Sequence, residues 1–112
     1  MKIENTKIQM RKGILEYCIL IILEKKEAYA SEIIASLKDS KMIVVEGTVY
    51  PLLTRLKNAG LLQYKWEESK SGPPRKYYSL TAEGISFQVE LETTWGSLKY
   101  AVESLTKKSK TK

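Results

Sequence analysis

The side chains equipped for chemistry in this sequence are hydrogen-bonding groups and cations rather than nucleophiles. They fall in two neighbouring clusters. Gly47, Thr48, Tyr50, Thr54, Arg55, Lys57 and Asn58 share one stretch, and Lys70, Arg75 and Lys76 follow in a short basic segment. Hydroxyl, amide and guanidinium groups along one helix face can address base edges or phosphates, because the major groove of a duplex admits one helix. Gly47 at the start of such a helix exposes backbone N–H groups that suit a phosphate. Taken alone, this is also what any solvated helix face presents. A basic hairpin directly after it, able to hold the flanking backbone, makes a rarer combination.

Bond-making chemistry has little to work with. The 112 residues contain no histidine, which removes the usual general base at neutral pH and the commonest nitrogen ligand for a metal. Cys18, the single cysteine, lies in the apolar run from Tyr17 to Leu23, where a small hydrophobe is expected. Glu67 and Glu68 are adjacent in a predicted strand and therefore point to opposite faces. The reading is a protein without catalytic, cofactor or metal chemistry.

Length and charge agree with a recognition role. A chain of 112 residues has room for one domain, and 19 Lys+Arg against 13 Asp+Glu leave a net charge of +6 that favours an acidic partner. The lack of an intramolecular disulfide suits a reducing compartment such as the cytoplasm. Lys2, Lys7, Arg11 and Lys12 before the apolar run, and Ala28-Tyr29-Ala30 after it, imitate a secretory signal. Glu16 interrupts that pattern and Glu24-Lys25-Lys26-Glu27 spoils the approach to a cleavage site. The run is also shorter than the ~18 apolar residues of a membrane helix.

The elements that must position the two clusters follow from hydrophobic periodicity. A first helix is expected from Lys7 or Met10 to Lys25 or Lys26, with Met10, Ile14, Leu15, Cys18, Ile21 and Ile22 on one side. Tyr17, Leu20 and Leu23 occupy its other faces, so this helix needs cover on more than one side. A second helix fits Tyr29 to Leu37 or Lys38, ended by the polar break at 38–41. In the third, from Gly47 onward, Val49, Leu52, Leu53 and Leu56 form the core stripe, Gly60 terminates it, and Pro51 is tolerated near the first turn. Leu62, Tyr64 and Trp66 then alternate with polar residues as a strand, residues 69–74 form a turn, and Arg75 to Leu80 return. Thr81 is a good N-cap for a long last helix expected to reach Leu105. There Leu91, Trp95, Leu98, Val102 and Leu105 have the spacing of a two-helix seam, with Ile85 and Val89 as a second stripe. The tail 107–112 reads as frayed and solvated.

The fold class is mainly α with a small β-hairpin: a winged helix-turn-helix over residues 1–81, then a dimerisation helix and basic tail over 82–112. The stretch Glu46-Gly47-Thr48-Val49-Tyr50-Pro51-Leu52-Leu53-Thr54-Arg55-Leu56-Lys57-Asn58-Ala59-Gly60-Leu61-Leu62, followed by Arg75-Lys76-Tyr77-Tyr78-Ser79-Leu80-Thr81-Ala82-Glu83-Gly84, resembles the PadR-like winged-helix regulators. The single C-terminal helix looks like the compact branch of that family. The resemblance implies a homodimeric, double-stranded-DNA-binding regulator, usually a repressor that a small molecule releases from its operator. It further implies that Tyr29 and Ser31 contact phosphates, that Thr48, Tyr50, Thr54 and Arg55 face the groove, and that Lys70, Arg75 and Lys76 grip the flank. Two departures stand out: Glu46 replaces a small or hydroxyl residue, and the Gly-Pro-Pro wing tip is stiffer than usual.

Trp95 carries two readings. It packs in the dimer seam, or it stacks with its symmetry mate on a planar aromatic effector, with Gly96 leaving space. A different function also fits the composition, a winged helix that binds protein through a surface of Tyr50, Trp66 and Tyr77.

Overall fold

The computed structural model describes residues 1–42, 44 and 46–110, with the side chains of Glu46 and of 108–110 outside that description. Along the chain run α1 (Ile3–Lys25), β1 (Ala28–Tyr29), α2 (Ala30–Asp39), α3 (Glu46–Asn58), β2 (Leu62–Ser69), β3 (Gly72–Leu80) and α4 (Ala82–Lys110). This is the winged helix expected from the sequence, followed by a long terminal helix.

The core is built from short apolar stripes. Ile33, Ile34 and Leu37 of α2 meet Val49, Leu53 and Leu56 of α3, and Leu15, Ile19, Leu20 and Leu23 of α1 cover them. The expected side of α1 is therefore corrected: Met10 is 75% exposed, and Ile14, Cys18, Ile21 and Ile22 are only half-buried. A helix apolar nearly all round has no polar face to set its rotation, so tertiary packing chooses the buried stripe. Burial pushes the Cys18 thiol upward, which keeps it neutral and suits packing rather than reactivity.

Two helix ends share one device. At the end of α2, Met42 N–H donates to the Leu37 carbonyl and Lys41 N–H to that of Lys38, with Lys41 at φ 68°. At the end of α3, Leu61 N–H donates to Leu56 and Gly60 N–H to Lys57, with Gly60 at φ 83°. Both are Schellman closures, and only the second uses the residue that reaches positive φ without a Cβ penalty. Pro51 is the sixth residue of α3, past the first turn, and so removes one backbone bond that its N–H would otherwise make to Gly47.

The sheet is three-stranded, ordered β1-β3-β2 and antiparallel throughout. Ala28 and Tyr29 pair with Tyr78 and Tyr77, an edge too short for alternation to reveal. The wing turn is also tighter than expected. β3 begins at Gly72, so Pro73 and Pro74 belong to the strand, opposite the register irregularity between Glu67 and Ser69. Proline is accommodated there because bulged positions make no regular ladder bond.

Thr81 caps α4 by accepting from Gly84 N–H at 3.0 Å, while its own hydroxyl donates to the Gly60 carbonyl at 2.7 Å. Its backbone N–H donates to the Leu61 carbonyl at 3.1 Å. A β-carbon at Gly84 would collide with the Leu61 carbonyl oxygen. The start of α4 is thereby locked to the α3–β2 junction. The helix then extends past its expected end, to Lys110, so the tail is helical up to that residue; Thr111 and Lys112 lie outside the described residues.

Gly84→Ala should lower the unfolding free energy by about 1–3 kcal/mol through this overlap. Gly13→Ala, in the exposed middle of α1 with open space around it, should raise it by about 0.5–1 kcal/mol. Urea midpoints of the two variants check both signs.

Candidate nucleic-acid interface

Three elements converge on one concavity. Tyr29, Ala30 and Ser31 come from the β1–α2 junction, Tyr50 and Thr54 from α3, and Trp66, Pro74, Arg75, Lys76 and Tyr78 from the wing, around a cavity of about 380 Å³. The core stripe of α3 requires this placement. With Val49, Leu53 and Leu56 turned inward, the 100° step per residue carries Tyr50 and Thr54 to the flank beside the wing.

The cations here rest on aromatic faces. The Arg75 guanidinium carbon lies 4.0 Å from the centre of the Tyr29 ring, and that ring sits 4.8 Å from Tyr77. Lys76 Nζ lies 4.7 Å from the Tyr64 ring and 5.7 Å from the Trp66 ring. Such contacts hold a cation in position without neutralising it. Lys65 differs, since Glu27 at 3.9 Å and Glu67 at 3.7 Å offset its charge. The Tyr78 phenol is pushed upward by burial first, and then by Tyr64 and Tyr50, so it stays neutral at physiological pH.

The remaining expected site residues lie elsewhere. Thr48 and Arg55 are on the other flank of α3, beside α1. Arg55 Nη1 sits 2.8 Å from Glu16 Oε2, an ion pair without the aligned geometry of a hydrogen bond. Gly47 is exposed at the start of α3, and Lys70 is exposed at the wing turn. The side chain of Glu46, the departure noted in the sequence, lies outside the described residues.

Trp66 escaped the main site reading. The alternation that starts at buried Leu62 continues through half-buried Tyr64 to Trp66, which is 62% exposed. The apolar face thus runs off the edge of the core onto the wing. Cross-strand pairing of Trp66 with Lys76 places it in the cluster, and that pairing follows only once the turn is known to occupy residues 70 and 71. Glu16 was likewise absent from the expected site, because nothing local links it to Arg55.

The terminal helix leaves its seam uncovered within one chain. Gly84 and Gln88 are buried and Leu91 is half-buried, whereas Trp95 is 40%, Leu98 56%, Val102 61% and Leu105 67% exposed. Near the start of α4, Ile85, Phe87 and Val89 are exposed as well. Tyr17 of α1, raised by burial and then by the negative charge of Glu92, marks where α1 and α4 face each other.

A family model described as the transcriptional regulator PadR-like family matches residues 19–89. This chain belongs to the PadR-like transcriptional regulators. A PadR-like transcription factor from Bacteroides fragilis is 60% identical, covering 90% of this chain and 98% of that one, with a TM-score of 0.77. A PadR-like transcriptional regulator from Bacillus cereus is 37% identical over 88% of this chain and 96% of its own, also at 0.77. An uncharacterised protein from Lysinibacillus sphaericus is 26% identical over 95 residues, which is 82% of this chain and 87% of that protein. Membership identifies a DNA-binding regulator of transcription built on the winged helix. Among the described residues, no helix of this PadR-like chain is long and apolar enough to cross a membrane.

Proposed function

We propose that this PadR-like protein is a cytoplasmic repressor in which two copies, joined through residues 82–112, place the winged helices of residues 1–81 on operator DNA. The observation that carries the reading is the convergence of Tyr29 and Ser31, Tyr50 and Thr54, and Arg75 and Lys76 on one concave surface. In this reading α3 enters the major groove. Tyr50 and Thr54 face bases, Arg75, Lys76 and Lys70 neutralise phosphates, and the backbone at Gly47 and at the start of α2 receives phosphate oxygens. Thr48 reaches DNA from the opposite flank, and Arg55 joins it by exchanging Glu16 for a phosphate.

Binding should be steeply salt-dependent. If the dimer meets on the order of six phosphates, log affinity against log salt should have a slope of about −5. Arg75→Ala and Lys76→Ala each remove two cations per dimer and should each flatten that slope by about 2. Fluorescence anisotropy on a labelled duplex between low and moderate salt measures it. Affinity indifferent to salt would favour instead the protein-binding surface of Tyr50, Trp66 and Tyr77.

The uncovered α4 stripe supports the dimer. Leu98→Glu combined with Val102→Glu puts charge in an apolar seam and should yield monomers in sedimentation velocity, with operator affinity down by at least about tenfold. A dimer that survives both changes would move the interface elsewhere.

Release by a planar aromatic effector is the reading for Trp95, supported by its part exposure on the seam and by open space around Gly96. In Trp66→Phe protein, where Trp95 is the remaining indole, titration with planar aromatic compounds should quench its emission and lower operator affinity. Unchanged emission across a panel of such compounds would leave Trp95 as a packing residue.

A further inference from the structure

A second cavity, of about 570 Å³, lies between α1 and α3, on the flank of the recognition helix away from the wing. Its size falls in the range of small-molecule sites. Ile8, Leu15, Val44, Pro51 and Leu52 make its walls, and among the described residues no aromatic side chain lines it. Arg11 and Lys12 stand at its α1 side, and neither forms an ion pair among the described residues. The third cation, Arg55, is already held by Glu16. Aliphatic walls with two positive charges that have no carboxylate partner among the described residues match an occupant with a flexible hydrocarbon body and an anionic head.

We propose that this groove binds an aliphatic carboxylate of medium chain length, with its chain against Ile8, Leu15 and Leu52 and its carboxylate on Arg11 and Lys12. The site is separate from the Trp95 seam and favours a different ligand chemistry: among the described residues its walls offer no ring to stack on, so a planar ring gains burial there without the added ring-ring attraction. It acts on the function through α3. Thr48 and Arg55 border the groove and also belong to the recognition helix, so an occupant takes contacts those side chains would otherwise give to DNA. This coupling, though not the binding itself, rests on the DNA-binding role proposed above.

The test is isothermal titration of the full-length protein with decanoate below its micellar concentration, with decanol as the uncharged control. Decanoate should bind saturably, and decanol at least about tenfold more weakly, since the loss of the carboxylate forfeits charge-assisted contacts. Arg11→Gln with Lys12→Gln should weaken decanoate to the level of decanol. Ile8→Glu, at an exposed position where folding is not at stake, should abolish it. Saturating decanoate should then lower operator affinity by several-fold, within the about 5- to 150-fold typical of coupled sites. No binding, equal affinity for decanoate and decanol, or indifference to these substitutions would overturn the site. Dissociation of a dimer by decanoate would overturn it as well, because the groove would then be holding the second copy. Unchanged operator affinity at saturation would overturn the coupling. Decanoate heat that persists in a protein with no DNA affinity would uphold the site and fault the regulator reading instead.

Discussion

The close approach of Gly84 to the Leu61 carbonyl fixes where α4 leaves the winged helix. Thr81 sits beside it and bonds both ways, accepting from the α4 backbone and donating to Gly60. The end of α3, the junction leading into the wing and the root of α4 therefore meet within a few residues. A rigid joint at that point makes the direction of α4 and the presentation of α3 a single variable. In the proposed dimer, the angle between the two α4 helices then sets the spacing between the two α3 helices, the quantity that half-sites on DNA measure.

The positive charge of the surface is held in two ways, and the difference has functional content. On the wing side, Arg75 and Lys76 lie over the rings of Tyr29, Tyr64 and Trp66, which restrict the cations while leaving the full charge available to a phosphate. On the α1 side, Arg55 is matched to the half-buried carboxylate of Glu16. A phosphate approaching Arg55 has to compete with that carboxylate, whereas one approaching Arg75 does not. The two flanks of α3 thus differ: the wing side carries cations resting on rings, and the α1 side carries one matched to a carboxylate.

Much of the architecture was legible because it rests on local periodicity and local caps. The stripe Val49, Leu52, Leu53 and Leu56, the positive φ of Gly60 and the cap at Thr81 all depend on residues within a turn or two of one another. The readings that needed correction share the opposite property. The buried side of α1 depends on where α2 and α3 press, and Met10 satisfied the helical repeat without finding anything to cover it. β1 consists of two residues whose only signature is their pairing with Tyr77 and Tyr78. Pro73 and Pro74 look like a loop until the register of β2 against β3 shows them within a strand.

What the sequence determined by itself is the order of elements, the polar face that α3 turns away from its core stripe and the sign of the charge beside it, because each depends on side-chain types at fixed spacing along one helix or strand. Only the tertiary structure decided which of those side chains meet. It split the α3 residues between two flanks, gave Arg55 to Glu16, drew Trp66 into the wing cluster and opened a groove between α1 and α3. Contacts of that kind join residues on different elements, ten or more positions apart. Their distances are set by the packing of whole elements, and no repeat within a single element encodes them.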